Sequence, residues 1–277
     1  MNFLSAKKIT EAARLVKQGR VFNLAHTLED GMPLNWFHSD FLYFTYRDTD
    51  EALTMINKQI ANSNKVSYMN LRMEMSDHTG THVDGLNHVS IDGQMYNGND
   101  ARRLTSRRGT MKLGMETMPP IFSRGVLADM TLIRKTLSKG AIAPDELKKV
   151  MKIENVSVRS GDVLLVYTGW EQLWMKNNSK FVSFMPGIEV DTASWLANIG
   201  VVAVGSDTQS VEVEPNEDPS EDGIVHQILL AKNGIHLIEN MVLSELASRR
   251  VYEFLFVCVP LKIKGGTGSP VSPIAIS

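Results

Sequence analysis

The chain has 277 residues, 43 % of them apolar and 22 % charged, a globular balance that excludes a disordered or fibrous protein. Twenty-nine basic side chains against thirty-one acidic ones give a net charge of −2 with no block of like charges, which argues against nucleic acid as a partner. A single cysteine excludes a disulfide framework and a cysteine-built zinc site, and no apolar run approaches the roughly 18 residues of a membrane helix.

Ile9, Ala12, Ala13 and Val16 recur at helical spacing within residues 5–19, with Gly19 as the end of that helix. Val21 to His26 alternates as a strand, and Glu29-Asp30-Gly31-Met32-Pro33 is turn chemistry. Trp36, Phe37, Phe41, Tyr43, Phe44 and Tyr46 follow closely; core packing is the expectation for most of them, with a few beside the turn available to wall a pocket. Met69, Leu71, Met73 and Met75 alternate with polar residues and predict a half-buried strand over 66–75. Strands are also expected over 121–130, 163–167 and 254–259, the last carrying Cys258 as a buried small hydrophobe. Val201 to Val204 is continuously apolar and suits a strand covered on both faces. Helices are expected over 144–152 with proline in the first turn, up to Ile199, and over 225–232, where Gly234 leads into a strand at 235–238. Strands and helices interleave without repeat or linker, so residues 1–277 read as one α/β domain. The first residues lack the apolar core of a secretion signal, so a cytoplasmic location is the expectation.

Chemistry concentrates in Ser76-Asp77-His78-Thr79-Gly80-Thr81-His82-Val83-Asp84-Gly85-Leu86-Asn87-His88. Two glycines and two threonines make a helix improbable there, and no His-Glu-x-x-His occurs. In an extended segment His82 and Asp84 project to one side, and a bend at Gly80 lets His78 join them. Imidazole nitrogen with carboxylate oxygen suits Zn²⁺, Mn²⁺ or Fe²⁺ rather than calcium. Downstream, His226 in the first turn of a helix and Glu239 at the end of the next strand can reach the same sheet edge. His26, His38 and His236 lack such company and read as structural. Gly265-Gly266-Thr267-Gly268-Ser269-Pro270 matches neither a Walker loop nor a dinucleotide fingerprint; a tight turn is the expectation, with backbone N–H groups available to an anion.

His78-Thr79-Gly80-Thr81-His82-Val83-Asp84 followed by His88 resembles the signature of the cyclase family of metal-dependent hydrolases, which includes bacterial kynurenine formamidase, isatin hydrolase and trans-dienelactone hydrolase. Gly31-Met32-Pro33, Thr168-Gly169-Trp170, Pro186-Gly187, Gly205-Ser206-Asp207-Thr208, His226 with Ile238-Glu239-Asn240, and the glycine-rich loop follow in the family's order. The resemblance implies a swivelling β/β/α cyclase-like domain with a central mixed sheet, assembled as a homodimer or homotetramer. It also implies a first metal, zinc or manganese, on His78, His82 and Asp84, and a second on Asp84, His226 and Glu239 where two are bound. His88 would be the general acid/base, and Trp36 and Phe37 would line the substrate pocket. The implied reaction is hydrolysis of an amide, lactam or lactone of a small cyclic or aromatic molecule. Two other readings stand beside it: a catalytically silent metal- or ligand-binding protein, and a non-haem iron oxygenase using His82, Asp84 and His226. The chain departs from the short formamidases over residues 93–124, and it carries Val271-Ser272-Pro273 where many relatives have arginine before the proline.

Overall fold

An uninterrupted apolar strand such as Val163-Leu164-Leu165-Val166-Tyr167 has no face to give to water, so it needs cover above and below. The computed structural model, which describes residues 4–35, 37–50, 66–135, 140–216, 218 and 221–277, supplies that cover with a central sheet packed on both faces. Its first elements are α1 (Ala6–Ala13), β1 (Val21–Asn23), β2 (Leu42–Arg47), β3 (Asn70–Glu74), β4 (His82–Asp84), β5 (Ile121–Asp129), α2 (Pro144–Ile153) and β6 (Val163–Tyr167). Then come α3 (Val190–Ile199), β7 (Ala203–Ser206), α4 (Ile224–His226, continued by a π-helical turn over Gln227–Lys232) and β8 (His236–Glu239). The chain closes with α5 (Ser244–Ser248), β9 (Glu253–Cys258), β10 (Gly268–Pro270) and β11 (Ile274–Ile276).

Nine strands form one mixed sheet in the order β1-β11-β9-β5-β6-β7-β8-β4-β10. β5 to β8 run parallel, and the strands flanking them on both sides are antiparallel to their neighbours. Alternate residues divide the core. Val126, Ala128, Leu164 and Val166 pack against Leu147 and Val150 of α2, Leu196 of α3 and Leu229 of the π-helical turn. Leu127, Val163 and Leu165 join Phe22, Phe254 and Met241 on the opposite face. α2 starts with Pro144, where no N–H is needed, and the Glu146 carboxylate accepts the Ala143 N–H. α3 stops at Gly200, whose φ of 81° lets its N–H turn back onto the Leu196 and Ala197 carbonyls.

The first helix ends at Ala13, well before Gly19, because the N–H groups of Gln18 and Gly19 are taken by the Ser277 carbonyl beyond β11. Larger differences concern residues 41–75. The strand expected to be half-buried begins at Asn70, pairs with β2, and has all five residues exposed. Three aromatics expected in the core, Tyr43, Phe44 and Tyr46, are exposed as well, whereas Phe41 is buried with Met32, Trp170 and Phe181. The alternation is real, but no described element of the chain lies over its apolar side. Trp36 lies outside the described residues.

Candidate metal centre

Gly80 has φ +63°, a conformation that side-chain-bearing residues resist, and its bend turns the chain from His78 into β4. Along β4 the two-residue period puts His82 and Asp84 on one face, as the sequence predicts. β8 runs antiparallel beside it with Glu239 directly opposite His82, so the two side chains share that face. His82 Nε2 comes 3.3 Å from Glu239 Oε2 and 3.6 Å from Asp84 Oδ1. α4 delivers His226, whose Nε2 is 3.3 Å from Glu239 Oε1 and 3.9 Å from Asp84 Oδ2. His78 Nδ1 is 3.0 Å from Asp84 Oδ1. The five candidate ligands thus converge as two triads sharing Asp84: His78–His82–Asp84 and Asp84–His226–Glu239, each with ligand atoms within 4.8 Å of one another.

Hydrogen bonds fix which nitrogen each imidazole presents. Carbonyls only accept, so His82 must donate from Nδ1 to the Gly80 oxygen 2.9 Å away, which leaves Nε2 bare. His226 Nδ1 lies 2.8 Å from the Glu212 carboxylate, which again commits the proton to Nδ1. For His78 the argument passes through Thr267. Its hydroxyl gives its one proton to Asp77 Oδ2 at 3.0 Å and therefore accepts from His78 Nε2, also at 3.0 Å, leaving Nδ1 bare. In the neutral tautomers so fixed, three nitrogen lone pairs would face two carboxylates with no hydrogen between them. Both oxygens of Asp84, a residue only 1 % exposed, lack a hydrogen-bond donor. Buried anions and lone pairs in this arrangement need a cation at their centre, and the nitrogen–oxygen donor set fits zinc or manganese.

Protons act as that cation in the metal-free protein. Burial works to lower the His82 pKa, yet Glu239 and Asp84 push it up to about 9. Burial likewise opposes charge on His226, but Glu212 and Glu239 raise its pKa well above the ordinary value. Burial would raise Asp84, while His88, His78 and His82 hold it well below the usual carboxylate range.

Several residues outside the sequence motif hold this geometry. Asp77 accepts from the N–H groups of Thr267 and Gly268, at 2.8 and 3.0 Å, and Glu116 accepts from Gly265 N at 2.8 Å. The glycine-rich loop is therefore an anion cradle as well as a turn, and the anions are the chain's own carboxylates. Glu116 belongs to the 93–124 stretch, so that stretch supports the loop. Asn240, in left-handed conformation at φ +53°, donates its N–H to Thr208 O and its amide to Gly80 O, and accepts from the Thr81 hydroxyl. It ties the end of β8 to the Gly80 bend. His236 meets the Asp84 carbonyl at 2.7 Å and His26 stacks on Trp174 at 4.0 Å, both structural as expected. His38 is not merely structural: its ring stacks on His78 at 5.4 Å and walls the cavity above the triads. Only its place six residues after the Glu29–Met32 turn hinted at this.

That cavity has a volume of about 210 Å³, with Leu34, Phe37 and Val89 as its apolar wall and no lysine or arginine among its described lining residues. Phe37 also lines it and is 59 % exposed. His88 also lines it, its ring centroid 4.1 Å from that of His78 and 6.5 Å from that of His226. Burial, with the repulsion of His78 and His226, lowers the His88 pKa to about 4, against the pull of Asp84.

A mixed sheet with an imidazole–carboxylate cluster where its parallel run meets antiparallel β4 defines a cyclase-like architecture. Residues 22–213 match the Cyclase family, and the chain belongs to it. A solved structure described as a novel cyclase superposes with a TM-score of 0.87 at 25 % identity, over 100 % of this chain and 94 % of that one. Isatin hydrolase A from Ralstonia solanacearum shares the fold, with a TM-score of 0.72, 18 % identity, and coverage of 99 % and 98 %. The kynurenine formamidase of Bacillus cereus ATCC 14579 is 24 % identical over 208 residues, 73 % of this chain and 78 % of that protein. The kynurenine formamidase of Erythrobacter litoralis is 26 % identical over 252 residues, 90 % of each.

Proposed function

We propose that the protein is a divalent-metal-dependent hydrolase that opens the amide, lactam or lactone bond of a small cyclic or aromatic molecule. The observation that carries this reading is the commitment of three imidazoles, by hydrogen bonds on their far nitrogens, to present bare lone pairs to Asp84 and Glu239. His78, His82 and Asp84 would hold one ion, and Asp84, His226 and Glu239 a second where two are bound. When bound, such an ion lowers the pKa of water toward 7 and polarises a carbonyl oxygen. The chain's own residues do the rest. His88 is a neutral imidazole at pH 7, so it accepts a proton from the attacking water and returns it to the departing nitrogen or oxygen. Phe37 and Leu34 give an aromatic ring an apolar wall. A cavity of ~150 Å³ holds benzene, so one of about 210 Å³ fits a single substituted ring.

The test uses protein stripped with a chelator and reloaded with zinc or manganese, assayed against N-formyl arylamines, isatin-like lactams and unsaturated lactones. Turnover of one of these classes that vanishes on stripping and returns on reloading is the expected result. Metal-loaded protein inert toward all three favours a silent binder, and turnover that requires oxygen favours an oxygenase.

A further inference from the structure

Glu214 lines the metal cavity but belongs to neither triad. Backbone hydrogen bonds with Met185, of 2.9 and 3.2 Å, fix its place, and its side chain is half-buried. The carboxylate meets no hydrogen-bond donor among the described residues. Burial and the like charges of Glu239, Glu212 and Asp222 raise its pKa against the pull of His226. A partly buried carboxylate in that state lacks a donor or a cation.

Two lining side chains more than nine-tenths buried share the deficit. Glu212, 2 % exposed, engages His226 through Oε2 and keeps Oε1 without a donor. Asn240, 5 % exposed, gives its amide nitrogen to Gly80 O while its Oδ1 accepts nothing. These oxygens can only accept. Metal ions do not remove the imbalance. Asp84, Glu239, Glu212, Glu214 and Asp222 bring five formal negative charges to the triads and their cavity, one more than two divalent ions supply. Glu214, Asn216 and Asp222 also line a second hollow of about 440 Å³ beside the first, walled by Val182 and Phe184 and without a described cation. A ring seated against Leu34 and Phe37 thus has room for a substituent that passes Glu214.

We propose that the substrate's ring carries a protonated amino group, and that Glu214 is the residue that selects it. The ammonium donates to the Glu214 carboxylate, a charge-assisted hydrogen bond between two groups that each lack a partner without it. A ring bearing a carboxylate or phosphate would instead meet like charge, with no described lysine or arginine to offset it. Glu214 thereby sets which ring the proposed hydrolase accepts, so its role in selecting a substrate rests on that reading, whereas the preference for a cation is measurable by binding alone.

Three benzohydroxamates test this, since they share one metal-binding head and differ only in the para substituent: aminomethyl, hydrogen or carboxylate. Calorimetry on the zinc-loaded full chain at pH 7 should show the aminomethyl probe binding at least about tenfold tighter than the carboxylate one. Glu214→Gln keeps the side chain's size and the backbone bonds to Met185; it should shrink that ratio at least about fivefold with the bound zinc retained. Equal binding of the three probes, tighter binding of the carboxylate, or binding of none overturns the inference. So does a ratio unmoved by Glu214→Gln, or loss of an equivalent of zinc in that variant, which would make Glu214 a ligand. An ammonium preference in a protein that turns over no amide, lactam or lactone removes the hydrolase reading and leaves the cation site standing. Turnover of unsubstituted ring amides without that preference removes this inference alone.

Discussion

A methyl group at Gly268 tests how tightly the metal centre is held from behind. A Cβ built there would lie 2.7 Å from His78 Cε1 and 2.9 Å from both ring nitrogens. Carbon atoms rest at ~3.5–4.0 Å, so the ring has to retreat by about 1 Å. It has little room: His88 lies against it with centroids 4.1 Å apart, and His38 is stacked at 5.4 Å. Nor can the backbone yield easily, because Gly268 is paired in register with Asp84 in β10 and β4. A misplacement of ~1 Å costs on the order of 100-fold in a site that depends on position, and loss of outer support costs 10–100-fold in metal affinity. Gly268→Ala should therefore weaken the His78–His82–Asp84 ion by roughly 10–100-fold, about 1.4–2.7 kcal/mol, with the Asp84–His226–Glu239 ion less affected. Competition against a chromophoric chelator measures this. Gly266→Ala is the control for crowding in the same loop, since its Cβ would meet Ile263 Cγ2 at 2.9 Å and Cβ at 3.0 Å instead of the site. Affinity in Gly268→Ala within about twofold of wild type would show that His78 is not held as the geometry implies.

Three further outcomes can be stated. His88→Ala should keep its metal yet lose ~10²–10⁴-fold in turnover, measured on metal-saturated protein; unchanged turnover would remove His88 from the reaction. Glu212→Gln places an amide against His226 that can hold the ring in the other tautomer, so calorimetry should show a 10–100-fold weaker second ion and an unaltered first one. Metal affinity should rise with pH between 6 and 9. His82, with its pKa near 9, is protonated over most of this window, and Glu212 and Glu239 shift His226 in the same direction, so an incoming ion must displace protons and each lower pH unit costs about tenfold per proton displaced. Chelator competition at pH 6, 7 and 8 checks the slope, and a flat profile would contradict the protonation states assigned here.

Local pattern made much of this architecture legible. The period of two in His82-Val83-Asp84 and the glycine at the bend carry enough geometry to place three candidate ligands, because strands and left-handed turns are short-range structures. The uninterrupted apolar strands likewise announce their own double cover. What escaped was set by partners distant in sequence. Asp77 and Thr267 meet across 190 residues, and nothing near either one marks it as the device that fixes the His78 tautomer. Glu212 reads as the start of an acidic loop until α4 brings His226 to it, and His38 joins the cavity only because β2 and β3 fold its segment over His78. The alternation over 66–75 was read correctly and its burial was not, since a pattern marks one face as apolar without saying what lies over it.

Anomalous diffraction from crystals of protein loaded with zinc or manganese tests the central claim most directly. An anomalous peak ~2.0–2.2 Å from His82 Nε2 and an Asp84 oxygen, with His78 Nδ1 completing its shell, is the predicted result. Metal-saturated crystals with no peak among residues 78, 82, 84, 226 and 239, or with the ion seated elsewhere, would contradict it.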